Sequence, residues 1–216
     1  MQLLSPTILV RAYRAGLFPM ADSERGGQVG LYRADPRGVM PIEAFRVPRS
    51  VARGISRIGN EIRLDTAFSD VVRACAEHRG GGVWLTDELA RAYDELHRAG
   101  VAHSVESWDD GRLVGGLFGV ALGGLFTSES MFHRTNDAGN HALVGTAAHL
   151  AERRYTLWDI QMVSPHTERF GAQLISADEY ESRLSAALPL ERTFFARARV
   201  PTARHTESGM PGMTLR

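Results

Sequence analysis

The sequence predicts an α+β fold, with a small N-terminal unit followed by a mixed, centrally antiparallel sheet flanked by helices. Three stretches carry the expectation. HSVESW (103–108) alternates as a half-buried strand does, and the Asp-Asp-Gly at 109–111 signals a tight hairpin into RLVGGLFGVAL. TDELARAYDELHRAG (86–100) reads as a helix, with Thr86 as N-cap and Gly100 as its stop. NDAGNHALVGTAAHLAERR then gives a helix from about Asp137 to Arg154, with Ala142, Leu143, Thr146, Ala147 and Leu150 on one face, and YTLWDIQMV gives another strand.

The remaining elements follow in chain order. Ser5 caps a short helix over 5–16, with Pro6 at its first position and Gly16 beyond its end. LFPMADSERGGQVGLYRADPRGVMP is rich in Gly and Pro and reads as loop, with a brief strand near Leu31 and Tyr32. EIRLDTAF is a strand leading into the helix AFSDVVRACAEHR, which the glycines at 80–82 terminate. After the meander's second turn, at Gly123 and Gly124, LFTSESMF is its third strand. The polar segment from Pro201 onward is expected to be a mobile tail. The expected organisation is therefore an N-terminal unit over 1–62, a catalytic domain over 63–200 and a tail over 201–216.

Composition bounds the chemistry. The chain of 216 residues, 44% hydrophobic, has no apolar run long enough to span a bilayer and no secretory leader, which points to a soluble cytoplasmic protein. Its single cysteine, Cys75, cannot form an internal disulfide and falls on a helix as a small hydrophobe. All 25 basic residues are arginine, balanced by 25 acids. Schiff-base chemistry and lysine bases are thereby excluded. Arg49, Arg53 and Arg57 are four apart, so a helix would carry them as one stripe able to follow a phosphate backbone; the alternative is a solvated helix face. His133, His141 and His149 are eight apart, and no histidine pair has the i, i+4 spacing of a helical metal site, so no metal is expected.

The element order is similar to that of the N-acetyltransferase superfamily, and the expected catalytic domain is accordingly GNAT-like. Those enzymes grip the pyrophosphate of acetyl-CoA on a glycine-rich turn after the meander. Here that turn reads HRTNDAGN, with Gly139 its only glycine, so the acyl group is expected on another carrier and no cofactor is assigned. Several motifs in order then resemble the leucyl/phenylalanyl-tRNA–protein transferases: YRAGLFPM at 13–20, DPRGV at 35–39, VWLTDELARAYDELHRAGVAHSVESW at 83–108, LVGGLFGVALGGLFTSESMFHRTNDAGNHAL at 113–143, DIQ at 159–161 and HTERFGA at 166–172. The resemblance implies transfer of leucine or phenylalanine from aminoacyl-tRNA to proteins with N-terminal Arg or Lys, marking them for N-end-rule degradation, by an enzyme expected to be monomeric.

Site residues follow from both lines of reasoning. Asp159 and Gln161 lie two apart on a strand and so share a face. Chemically the carboxylate suits the base function, because a neutral amide is a poor base. The resemblance implies that the two act together, with Gln161 nearest the attacking amine. It also implies that Glu129 lines the donor site, that Trp84 and Tyr93 contact the terminal adenosine, and that Met20 stands on that wall where many members carry Trp. Leu117, Phe126, Met131, Leu143, Thr146, Leu150 and Trp158 match the amino-acid pocket. Two alternative functions remain, an N-acetyltransferase with atypical CoA binding and a non-catalytic tRNA-binding module. The second leaves Asp159 and Gln161 unexplained.

Overall fold

The computed structural model describes residues 4–22, 26–56, 61–78 and 84–195. Helix α1 (Pro6–Arg14) begins as expected, its Ile8 amide donating to the Ser5 side chain. Strands β1 (Phe18–Asp22) and β2 (Gln28–Tyr32) then form a separate antiparallel ribbon, pairing Phe18 with Tyr32 and Met20 with Gly30. Only β2 is legible beforehand, because β1 begins on Phe-Pro within a segment whose composition reads as loop.

A seven-stranded sheet forms the body. It comprises β3 (Arg37–Met40), β4 (Glu61–Leu64), β5 (Ala102–Asp109), β6 (Arg112–Leu122), β7 (Leu125–His133), β8 (Leu157–Gln161) and β9 (Gln173–Ile175), in the spatial order β4-β5-β6-β7-β8-β3-β9. The meander β5-β6-β7 is present as expected, and Asp110 and Gly111 both adopt positive φ at its first turn, as a two-residue hairpin requires. Strand β8 returns parallel to β7, and every other pairing is antiparallel, which makes the sheet mixed. Segment 37–40, inside the span expected for the N-terminal unit, is a strand of this large sheet between β8 and β9.

Helices cover both faces. On one, α1, α3 (Phe68–His78) and α4 (Asp87–Arg98) bury Leu9, Tyr13, Val71, Cys75, Leu89, Tyr93 and Leu96 against Phe118 and Phe132. On the other, α2 (Arg49–Ile55) and α5 (Ala138–Glu152) bury Val51, Leu143, Ala147 and Leu150 against Leu117, Phe126 and Trp158. Adjacent Leu117 and Phe118 enter opposite clusters, the period-two consequence of a strand buried on both sides. Short α6 (Pro165–Glu168) and α7 (Ala177–Ala187) complete the chain, and Phe194 packs into the second cluster. There it stacks on His103 at 4.2 Å between ring centroids, while His149 Nε2 lies 2.8 Å from its carbonyl oxygen. No helix among the described residues is long and apolar enough to cross a membrane. The tail over 201–216 lies outside the described residues.

Candidate active site

The sheet opens where β7 and β8 part. Their parallel pairing runs only from Leu125 and Leu157 to Thr127 and Asp159, and the residues beyond diverge around a cavity of about 540 Å³. Ser128, Glu129, Ser130 and Met131 form one wall, and Ile160 to Ser164 form the other. The β1 residues Phe18, Pro19 and Met20 join Trp84 in lining it as well, and Met40, Leu117 and Leu143 are also in the lining.

A local irregularity aims Glu129. Opposite the consecutive pair Phe118 and Gly119, β7 places Ser130 and Ser128, so Glu129 is the extra residue of a β-bulge. Simple alternation along LFTSESMF therefore fails at Glu129. The bulge drives the Thr127 carbonyl and the Phe126 ring onto the position that a Cβ of residue 119 would occupy, which is why that position is glycine. Glu129 accepts hydrogen bonds from Thr127 Oγ1 at 2.6 Å and Tyr93 Oη at 2.9 Å, and Tyr93 Oη lies 2.7 Å from Tyr13 Oη. Burial pushes the Glu129 carboxyl pKa above its ordinary value, against these hydrogen bonds, and the nearby Asp159 charge adds to the rise. Burial, reinforced by Glu129, likewise pushes both tyrosines well up, so they are phenols that donate.

Across the cleft, Gln161 ends β8 with φ of 56°, and Met162 N donates to Ile160 O at 2.6 Å. This is a tight three-residue turn centred on Gln161, a conformation that side-chain-bearing residues seldom adopt. The hydrogen-bond network assigns its amide the orientation in which the nitrogen donates to Ser128 O at 2.9 Å and Ile160 O at 3.0 Å. Its oxygen then faces Glu129 Oε1 at 3.4 Å. Two acceptors directed at each other create a place for an N–H donor.

Asp159 is not at the surface of this cavity. It is 0% exposed and lies beneath Gln161, where Arg37 Nε and Nη2 donate to its two oxygens at 2.9 and 2.7 Å and Tyr180 Oη donates at 2.8 Å. Its Oδ1 also accepts the Gln161 backbone N–H at 2.9 Å. Asp159 thus sits behind Gln161, while the flanking Ile160 packs with the second cluster and also reaches the cavity lining.

The other expected site residues divide into lining and support. Met20, Trp84, Leu117, Glu129, Met131, Leu143 and Gln161 line the cavity. Phe126, Leu150 and Trp158 are buried behind it in the second cluster, Trp158 Nε1 donating to Ser128 Oγ at 2.8 Å. Thr146 is also buried, donating to Ala142 O on its own helix. Tyr93 is 0% exposed, so it offers no stacking face and meets the site through Glu129. Arg49 and Arg53 are exposed on α2, where Arg169 Nη2 donates to Ser50 Oγ at 3.1 Å; Arg57 lies outside the described residues. Helix α2 spans only seven residues, so the described helix carries two arginines of the expected three. Among the described residues, no group of three or more His, Cys, Asp or Glu side chains is arranged to hold a metal ion. Sequence reasoning missed Arg37, Tyr180, Phe18, Met40 and the Met162–Thr167 wall. Of these, Arg37, Phe18, His166 and Thr167 had a signal only as members of the DPRGV, YRAGLFPM and HTERFGA motifs.

Two family models match the chain. A family model described as leucyl/phenylalanyl-tRNA protein transferase matches residues 39–185, and the model of its N-terminal domain matches 2–35. The chain belongs to this family. Curated leucyl/phenylalanyl-tRNA–protein transferases are similar to it along almost their whole length or a large part of it. That of Rubrobacter xylanophilus is 50% identical over 88% of this chain and 98% of its own. That of Hyphomonas neptunium is 44% identical over 88% and 74%, and that of Paramagnetospirillum magneticum 45% over 87% and 91%. One family model ends at residue 35 and the other begins at 39, so Arg37 and the start of β3 fall at the junction between them.

Proposed function

We propose that the protein transfers leucine or phenylalanine, and methionine less well, from aminoacyl-tRNA to the α-amino group of proteins with N-terminal Arg or Lys. The observation that carries this reading is the convergence of Glu129 and the Gln161 amide oxygen on one point of an otherwise largely apolar cavity. The donor is an ester already activated for attack, so the enzyme needs to supply positioning and proton handling more than a nucleophile. An α-amine with a pKa of about 7.7 to 8.0 is partly neutral near pH 7. Its nitrogen attacks the ester carbonyl carbon, a C–N bond forms, and the C–O bond to the terminal ribose breaks. The proton lost by the amine ends on the ribose hydroxyl of the released tRNA.

In this mechanism Gln161 accepts a hydrogen bond from the attacking amine as the nitrogen becomes cationic, and Asp159 acts through Gln161 rather than as the base itself. Glu129 receives the donor's α-ammonium. Leu117, Met131 and Leu143 take the donor side chain, backed by Phe126, Thr146, Leu150 and Trp158, while Met20 and Trp84 meet the terminal adenosine. An apolar wall strips water from a charged donor side chain without replacing it, so aspartyl- and lysyl-tRNA are rejected. Arg49, Arg53 and Arg57 follow the tRNA backbone, a monomer suffices, and the cytoplasm supplies both substrates.

The test is transfer of radiolabelled leucine from Leu-tRNA to a peptide beginning with Arg, beside the same peptide acetylated at its N-terminus. Label on the free peptide alone is expected. Label on neither, with tight binding of acetyl-CoA, would move the assignment to an acetyltransferase.

A further inference from the structure

Arg37 is a charged side chain with 1% exposure, and every polar contact it makes is directed. Two of its nitrogens grip Asp159, and Nη1 donates to Gly16 O at 3.0 Å. Its guanidinium carbon lies 4.9 Å from the Phe18 ring centroid and 4.6 Å from that of Tyr180, so two aromatic rings pack against the planar group. Phe18 also lines the cavity. A buried ion pair is seldom a net source of stability, because desolvation offsets the attraction. Stability alone does not explain this one.

What the pair does is visible one bond further on. Asp159 Oδ1 holds the N–H of Gln161, at the centre of the turn that directs the Gln161 amide toward Glu129. The neighbouring Gly38 completes the device, since a Cβ there would lie 2.8 Å from the Met162 carbonyl carbon and push the turn away. Such a backbone conformation is strained and persists only where its surroundings over-determine it. Arg37 and Tyr180 supply that constraint from β3 and α7.

We propose that Arg37, with Tyr180, is a positioning residue of the transfer reaction: through Asp159 it locks the turn that carries Gln161. The inference rests on the reading of Gln161 above. It assigns to the junction between the two family models a direct part in turnover, since Arg37 joins the Gly16 loop and the Phe18 wall to the catalytic strand.

Transfer from Leu-tRNA to an Arg-peptide in Tyr180→Phe, Arg37→Lys, Arg37→Met, Gln161→Ala and the double variants with Gln161→Ala tests it. Filter binding of Leu-tRNA counts competent molecules, and turnover is expressed per competent molecule. A misplacement of about 1 Å costs on the order of a hundredfold, so Arg37→Lys is expected to lose roughly that in kcat with donor KM within about twofold. Tyr180→Phe keeps the ring and the ion pair, and is expected to lose about tenfold. Arg37→Met should fall below Arg37→Lys. Residues acting through one group are non-additive, so neither Tyr180→Phe nor Arg37→Lys should slow Gln161→Ala further. Wild-type kcat in Tyr180→Phe, or full additivity with Gln161→Ala, overturns the proposal even if Arg37→Lys fails to fold. Wild-type kcat in Gln161→Ala instead overturns the underlying assignment of Gln161.

Discussion

At the scale of single residues, the site depends on two side chains that meet only because each lies on an irregular backbone. Glu129 is the extra residue of a bulge, and Gln161 has positive φ. Replacing Gln161 by Ala or Asp159 by Asn is expected to lower the transfer rate by roughly a hundredfold, with far less effect on donor binding, as for other acid–base helpers. Single-turnover transfer beside filter binding separates the two effects. Glu129 makes a prediction about pH as well. Its folded pKa is raised, so it penalises folding when ionised, fully above that pKa and not at all below the ordinary carboxylate range. As pH falls from neutrality through the raised value, wild type should therefore gain stability relative to Glu129→Gln. Thermal melting across that range reads the difference, and parallel curves would show that the burial of Glu129 has no energetic consequence.

At the scale of elements, what could be read in advance was whatever depends on local periodicity. The capped helix α4 and the Asp-Gly hairpin announce themselves, because N-caps and left-handed turn residues are local requirements. Strand β3 does not, since Arg-Gly-Val-Met becomes a strand only by lying between β8 and β9. Likewise the partner of Asp159 lies 122 residues away, beyond any spacing rule. Lining residues were legible where motif and strand coincided, as at Leu117 and Glu129. Tyr93, expected at the terminal adenosine, has a buried ring and reaches the cavity wall through the hydrogen bond of its hydroxyl to Glu129. The short α2 makes the sharpest prediction at this scale. Replacing Arg49 and Arg53 with Gln should weaken every tRNA about equally and flatten the salt dependence by roughly 0.7 to 0.9 in log–log slope for each phosphate no longer neutralised. An unchanged slope would make the stripe a solvated face, and adding Arg57→Gln tests the third member.

At the scale of the whole molecule, the sheet is closed from behind by a segment distant in sequence. Phe194 stacks against Phe126 at 5.7 Å, and Arg153 donates to Thr193 and Phe195, beyond the residues that the family models match. Phe194→Ala should cost about 3 to 5 kcal/mol in urea unfolding, the usual range for emptying a buried aromatic site. A loss below about 1 kcal/mol would show that the segment is not part of the core. The assembled cavity also predicts a ranking of donors. One methylene is worth only about 1 to 3 kcal/mol in such a site, so leucine should exceed isoleucine and valine by shape at the β-carbon without excluding them. Competition among Leu-, Phe-, Met-, Ile- and Val-tRNA for one Arg-peptide measures this, and equal transfer of valine and leucine would discard the assigned walls.

The composition of those walls has a cost of its own. Four of the chain's seven methionines, Met20, Met40, Met131 and Met162, line the cavity, and Met162 is 61% exposed at its rim. Unbranched thioethers adapt their shape, which would suit the proposed intake of both a branched aliphatic and a flat aromatic side chain. They are also the side chains that peroxide converts to polar sulfoxides. An oxidised chain is therefore expected to lose donor affinity before it loses its fold, an order that filter binding beside thermal melting after peroxide treatment would read and that a sulfoxide reductase should reverse.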